Sequence, residues 1–191
     1  MSDSIYSTYQ AAALRTEKPL PTVLGRLRHA SLGFITESGE IVTEVKRHVI
    51  YGKPMDEKRR AHIGEEIGDV YWYVAIAADD VDYDFFANTM PAIRPRVFQT
   101  YDFEQLSLDL SIEVGFFSLA VSDTDVNTTS VVQVLNRIAQ ILVDIAAGVG
   151  LNTEEILAEN IAKLRERFPD AYSNEAAEAR ADKGGLDARN S

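Results

Sequence analysis

Four acidic side chains stand in two pairs of equal spacing. Glu37 and Glu40 lie in FITESGEIVTEVK, and Glu66 and Asp69 lie in HIGEEIGDVYWYVAIAA. Glu44 extends the first series and is open between an outer ligand and a surface charge, and Glu65 points further out into solvent. A helix turns ~100° per residue, so Glu37, Glu40 and Glu44 share about 60° of arc on the flank of an apolar stripe. That stripe consists of Phe34, Ile35, Ile41, Val42, Val45 and Val49. Glu66 and Asp69 border a second stripe, Ile63, Ile67, Val70, Val74 and Ala78, with Tyr73 on the same line. Like charges on one strip of a helix repel, so the arrangement asks for a cation.

The two pairs also match in level. The midpoint of 40 and 66 is 53, and so is the midpoint of 37 and 69; residue 53 is Lys53, inside the turn signal YGKP. A symmetric helical hairpin about that turn sets Glu40 opposite Glu66 and Glu37 opposite Asp69. Carboxylates held so close either repel or take up protons. A hard divalent ion removes the conflict. Mg²⁺ or Mn²⁺ takes oxygen ligands, and Mg²⁺ commonly shares them with a substrate phosphate. The chain has no cysteine and no histidine spacing that suggests a ligand, which argues against zinc. His29, His48 and His62 therefore receive no role. Gly39, inside ESGE, costs roughly 1 kcal/mol against Ala in a helix and suggests close approach by a helix or ligand.

Cations complement the acids. In NTEEILAENIAKLRERF, Asn160, Lys163 and Arg167 share the flank of the stripe Ile156, Leu157, Ile161, Leu164 and Phe168. A Lys and an Arg beside a core stripe suit phosphate oxygens. Lys46, Arg47 and Lys53 are further candidates nearer the acids. Glu113, an acid amid apolar residues, is open between a buried partner for Arg and an extra ligand, with the structural pairing favoured.

The elements that must position these residues are helical. The first 20 residues are weakly patterned and end in the break KPLPT. Helical patterns then cover about 21–49 (one helix, or two parted near Ser31), 56–80, 103–121 and 131–147. The fourth ends at Gly148 or Gly150, where a C-terminal glycine belongs. Asn152, followed by Glu155, caps a fifth helix that ends before Pro169. No strand pattern competes. The expected fold is all-α, a bundle of four or five helices in one domain over 1–169, with an irregular insertion about 87–102. Residues 170–191 read as a tail that is flexible or wraps a neighbouring subunit. The 191 residues carry a net charge of −11, which opposes binding to nucleic acid polymers or anionic membrane. No unbroken apolar run reaches the roughly 18 residues of a membrane span, and the N-terminus is no secretory signal. A cytoplasmic protein is expected.

Residues 37–40 and 66–69, ESGE and EIGD parted by 25 residues, resemble the E-x-x-E…E-x-x-D pattern of MazG-like nucleoside triphosphate pyrophosphohydrolases, within the all-α NTP pyrophosphatase superfamily. EEIGDVYWYVA is similar to that family's second metal helix. AENIAKLRERF is similar to its later helix, with Asn160, Lys163 and Arg167 at matching positions. The likeness covers about 32–78 and 152–168; the region between is longer than in a minimal member. It implies hydrolysis of an NTP or dNTP to the monophosphate and pyrophosphate, with Mg²⁺, or Mn²⁺ in its place, held by Glu37, Glu40, Glu66 and Asp69. Glu40, or Glu37 in second place, would act on the attacking water. Lys163 and Arg167 would stabilise phosphate charge, Asn160 would bond a phosphate or the sugar, and Trp72 or Tyr73 would border the base, although aromatic residues at helical spacing are more often core. A homodimer or homotetramer is implied. Some phage members act on dGTP, which makes a purine dNTP a candidate substrate and a host cytoplasm the compartment for a phage-encoded chain. The alternative is a nucleotide-binding helical sensor or scaffold without turnover.

Overall fold

In the computed structural model, which describes residues 4–97 and 100–179, every element is helical. The long helices are α1 (Ile5–Leu14), α2 (Val23–Val49), α3 (Glu57–Asp79), α5 (Phe103–Ala120), α6 (Thr128–Gly148) and α7 (Thr153–Arg167). Short pieces complete the chain: α4 (Phe85–Asn88), a 3₁₀ turn at Met90–Ala92, and α8 (Asn174–Ala179). The all-α expectation holds, with α1 added to the five anticipated helices.

Small polar N-caps begin the helices. The side chains of Thr22, Asp56, Asp102 and Asn127 each accept from a backbone N–H three residues on. Asn152 accepts from both Glu154 N and Glu155 N. Each bond satisfies a donor that the first helical turn would leave orphaned. Two glycines take positive φ where helices end, Gly52 at 62° and Gly150 at 78°. Only glycine enters that region without a Cβ penalty. Helix α2 is continuous through Ser31, which is buried and shares a 2.8 Å hydrogen bond with Ser118 of α5.

Helix α3 occupies the centre, packed against α1, α2, α4, α6 and α7. Its stripe residues Ile63, Ile67, Val70, Val74 and Ala78 are fully buried. Phe34 of α2 meets Phe117 of α5 edge-on with centroids 4.8 Å apart, which ties α5 to the hairpin. The α2 stripe is narrower than its pattern suggests. Phe34, Ile41 and Val45 are buried, but Ile35 and Val49 are exposed, because α3 and α5 leave part of that helix uncovered. Leu32 and Ile35 of α2 and Leu108, Ile112, Phe116 and Leu119 of α5 remain exposed apolar residues.

Helix α6 is long and apolar enough by itself to cross a membrane, which the search for unbroken apolar runs did not anticipate. In the fold, 61% of its apolar window is buried. Its Asp144 is wholly enclosed and accepts from the backbone N and the Nε of Arg96 at 2.7 and 2.6 Å. Arg96 belongs to the Pro-rich segment that follows the 3₁₀ turn, so this pair pins that segment to the bundle. Glu113 pairs with Arg137 at 2.8 Å. Most of the anticipated tail, from residue 180, lies outside the described residues.

Candidate metal and phosphate site

The α2–α3 hairpin brings the two acidic pairs together. Carboxylate oxygens of Glu37, Glu66 and Asp69 lie within 4.8 Å of one another, and so do ligand atoms of Glu40, His62 and Glu66. Glu66 belongs to both sets. It is 6% exposed, whereas Glu40 is open to solvent. Burial, reinforced by the like charges of Asp69, Glu40 and Glu37, pushes the Glu66 carboxyl up to about 8. That is the conflict expected of converging acids, and oxygen donors around such a carboxyl fit a hard divalent cation.

His62 alters the donor set. Its Nε2 is 3.2 Å from Glu66 and 3.6 Å from Glu40. The sequence reading gave it no role, although it stands one turn before Glu66 and so on the same face. The absence of a usable histidine therefore does not hold as an argument against nitrogen-binding metals such as zinc.

Asp69 is held by a network that the acidic motif does not reveal. Asn160 Nδ2 donates to Asp69 at 2.9 Å, and Tyr9 OH of α1 donates to Asn160 Oδ1 at 2.8 Å. Tyr9 is fully buried and Asn160 nearly so. Asn160 comes this close because residue 68 is glycine. A Cβ there would sit 3.0 Å from the Asn160 Cβ. Lys163 Nζ closes the network on Asp69 and also reaches Glu65 at 3.4 Å. Asn160 and Lys163 thus orient and neutralise Asp69, and both line a cavity of about 310 Å³ on the α7 side of it.

A larger cavity, about 410 Å³, opens over Glu37, Glu40, Glu66 and Asp69, with Arg167 on its wall. Its far end is aromatic, formed by Trp72, Tyr73 and Phe168. The Tyr73 ring passes over Gly33, where a Cβ would lie 2.1 Å from the ring. Lys18, from the weakly patterned N-terminal region, also lines the cavity.

Other candidate cations fall elsewhere. Lys46 and Lys53 are exposed and do not line the acid cavity. Lys46 is six residues beyond Glu40, about 240° around the helix, and Lys53 lies past the end of α2. Arg47 and Arg59 both bond the buried Glu44, making it a structural anion at the neck of the hairpin rather than an outer ligand. Gly39 is exposed with no atom within 4 Å of a would-be Cβ, so among the described residues no neighbouring helix approaches it. Comparison with family models, curated proteins and solved structures finds no match, and the likeness to the pyrophosphohydrolases rests on the motif residues themselves.

Proposed function

We propose that the chain is a metal-dependent nucleoside triphosphate pyrophosphohydrolase of the MazG-like kind. The observation that carries this reading is the convergence of Glu37, Glu66 and Asp69 at the floor of a cavity that also holds Arg167 and an aromatic end. An acidic floor suits a cation, an arginine beside it suits phosphate, and aromatic faces suit a base.

Glu37, Glu40, Glu66 and Asp69 would hold Mg²⁺ or Mn²⁺, with His62 at the rim. The bound cation would supply charge neutralisation at the phosphates and acidity to water. Arg167 steadies charge on the departing pyrophosphate. Lys163 neutralises Asp69 in the ligand-free chain and turns toward phosphate when that carboxylate is engaged. Asn160 keeps Asp69 in place rather than touching the substrate. Glu40, the exposed member of the quartet, accepts the proton of the water that attacks the α-phosphorus. The P–O bond to the β-phosphate breaks, and the products are the monophosphate and pyrophosphate.

The exposed apolar residues of α2 and α5 support the expected homodimer or homotetramer, which light scattering on the purified chain would reveal. The activity test is incubation with each of the eight common NTPs and dNTPs, with Mg²⁺, Mn²⁺ or chelator. Pyrophosphate release that requires metal and is lost in Glu66→Ala and Asp69→Ala is the expected result. Binding without release would make the chain a sensor.

A further inference from the structure

The aromatic end of the cavity has two walls of different construction. One belongs to the bundle. Trp72 is locked there, its Nε1 donating to Ala13 O at 3.1 Å and Thr16 Oγ1 at 2.9 Å. Tyr73 is locked over Gly33. His29 stands edge-on to both rings, with centroids 6.0 and 5.5 Å away. Its Nδ1 is buried without a hydrogen-bond partner among the described residues, and burial lowers its pKa, favouring the neutral ring. A neutral imidazole keeps one donor and one acceptor.

The opposite wall is the strap that follows α7, contributing Phe168, Tyr172 and Ala177. Phe168 and Tyr172 pack ring to ring at 5.5 Å. One side chain gathers the start of this strap. Arg15 Nη1, at the end of α1, donates to the carbonyls of Phe168, Pro169 and Asp170. The Arg15 carbonyl in turn accepts from Tyr172 N at 3.3 Å. One guanidinium nitrogen is thus shared among three consecutive carbonyls where the helix has just ended.

We propose that the strap 168–177, clamped by Arg15, is the outer wall of a seat for a planar heteroaromatic ring, with Trp72, Tyr73 and His29 as the inner wall. Arg15 is a positioning residue, and Tyr172 supplies a stacking face. This rests on the pyrophosphohydrolase reading only in taking the triphosphate to lie over the acids. The ring is the nucleobase of that ligand. Flat aromatic faces stack any base, and the His29 ring, which lines the cavity, holds Trp72 and Tyr73 edge-on.

The test separates the ring from the phosphates. Calorimetry with Mg²⁺ compares inorganic tripolyphosphate with a non-hydrolysable α,β-methylene purine deoxynucleoside triphosphate. The wild type, Arg15→Met, Arg15→Lys and Tyr172→Ala are measured, with thermal melts to show that each is folded. The nucleotide analogue should bind the wild type more tightly than tripolyphosphate. Arg15→Met and Tyr172→Ala should weaken the analogue on the order of tenfold while leaving tripolyphosphate within about twofold, and Arg15→Lys should recover part of the loss. Unchanged analogue affinity in both variants overturns the strap as a wall. Parallel loss of tripolyphosphate overturns it as well, by showing a general defect. If the wild type binds tripolyphosphate but gains nothing from the nucleoside, the seat alone falls. If it binds neither, the pyrophosphohydrolase reading falls with it.

Discussion

Lys163 Nζ lies 2.6 and 2.7 Å from the two carboxylate oxygens of Asp69. A side chain of α7 therefore supplies positive charge to the acid cluster. The pair is largely shielded, with side-chain exposures of 16% and 28%, so its attraction is screened less than that of a surface pair.

Removing this internal cation should pull metal binding and turnover in opposite directions. In Lys163→Met, Asp69 loses its competitor, and Mn²⁺ affinity without nucleotide should rise several-fold, as read by electron paramagnetic resonance. Pyrophosphate release should fall by about 10²-fold or more, the usual scale for losing a charge-stabilising donor. Equal Mn²⁺ affinity in variant and wild type would show that Lys163 does not compete for Asp69.

The acid quartet should leave a signature in stability. The folded Glu66 carboxyl titrates near 8, against an ordinary 4.5. Between those values the folded chain holds a proton that the unfolded chain has released. Its contribution to stability is therefore present below about 4.5 and is lost as pH rises through 8. Metal-free protein should melt at lower temperature at about pH 8 than at about pH 5, and Glu66→Gln should flatten that decline. Mg²⁺ or Mn²⁺ should restore the melting temperature at the higher pH, since binding to the folded state alone stabilises it.

The two motif glycines should respond oppositely to alanine. At Gly39 nothing lies within 4 Å of the added methyl group, so Gly39→Ala should stabilise the chain by about 0.5–1 kcal/mol through helix propensity and a less free unfolded state. At Gly68 the methyl group meets Asn160 at 3.0 Å. Gly68→Ala should cost about 1–3 kcal/mol by overpacking and shift Asn160 from Asp69. Denaturant unfolding measures both; a destabilised Gly39→Ala would mean that another molecule packs against ESGE.

Tyr9 should matter although it touches no ligand. Tyr9→Phe removes the donor to Asn160 and leaves its buried oxygen short of a partner, at a cost of about 1–3 kcal/mol. With Asp69 less well held, Mn²⁺ binding should weaken as well. Wild-type metal affinity in a destabilised Tyr9→Phe would confine its role to the core.

The hairpin was legible in the sequence because helical rise and turn are constants. Counting residues from Lys53 sets the levels of Glu37, Glu40, Glu66 and Asp69, and the apolar stripes set their sides. The same periodicity marked Ile156, Leu157, Ile161, Leu164 and Phe168 as the buried face of α7, and all five are buried. His62 was within reach of the same counting, since it stands one turn from Glu66. Periodicity failed at Ile35 and Val49, because an apolar residue on a helix says nothing of whether a neighbour covers it.

Helix α1 carries too little contrast between its faces to announce its position, yet it supplies Tyr9 to the Asp69 network. Just past its end, Arg15 holds the strap. Those contacts join residues more than 150 positions apart in sequence, beyond the reach of any local spacing rule. The amino-acid order alone determined an all-helical chain and two acidic pairs able to meet across one turn. Tertiary packing decided that Lys163 faces Asp69, that Lys46 and Lys53 stay outside the cavity, and that a strap forms its outer wall. Helix geometry is set by neighbours along the chain, whereas docking is set by which surfaces exclude water together.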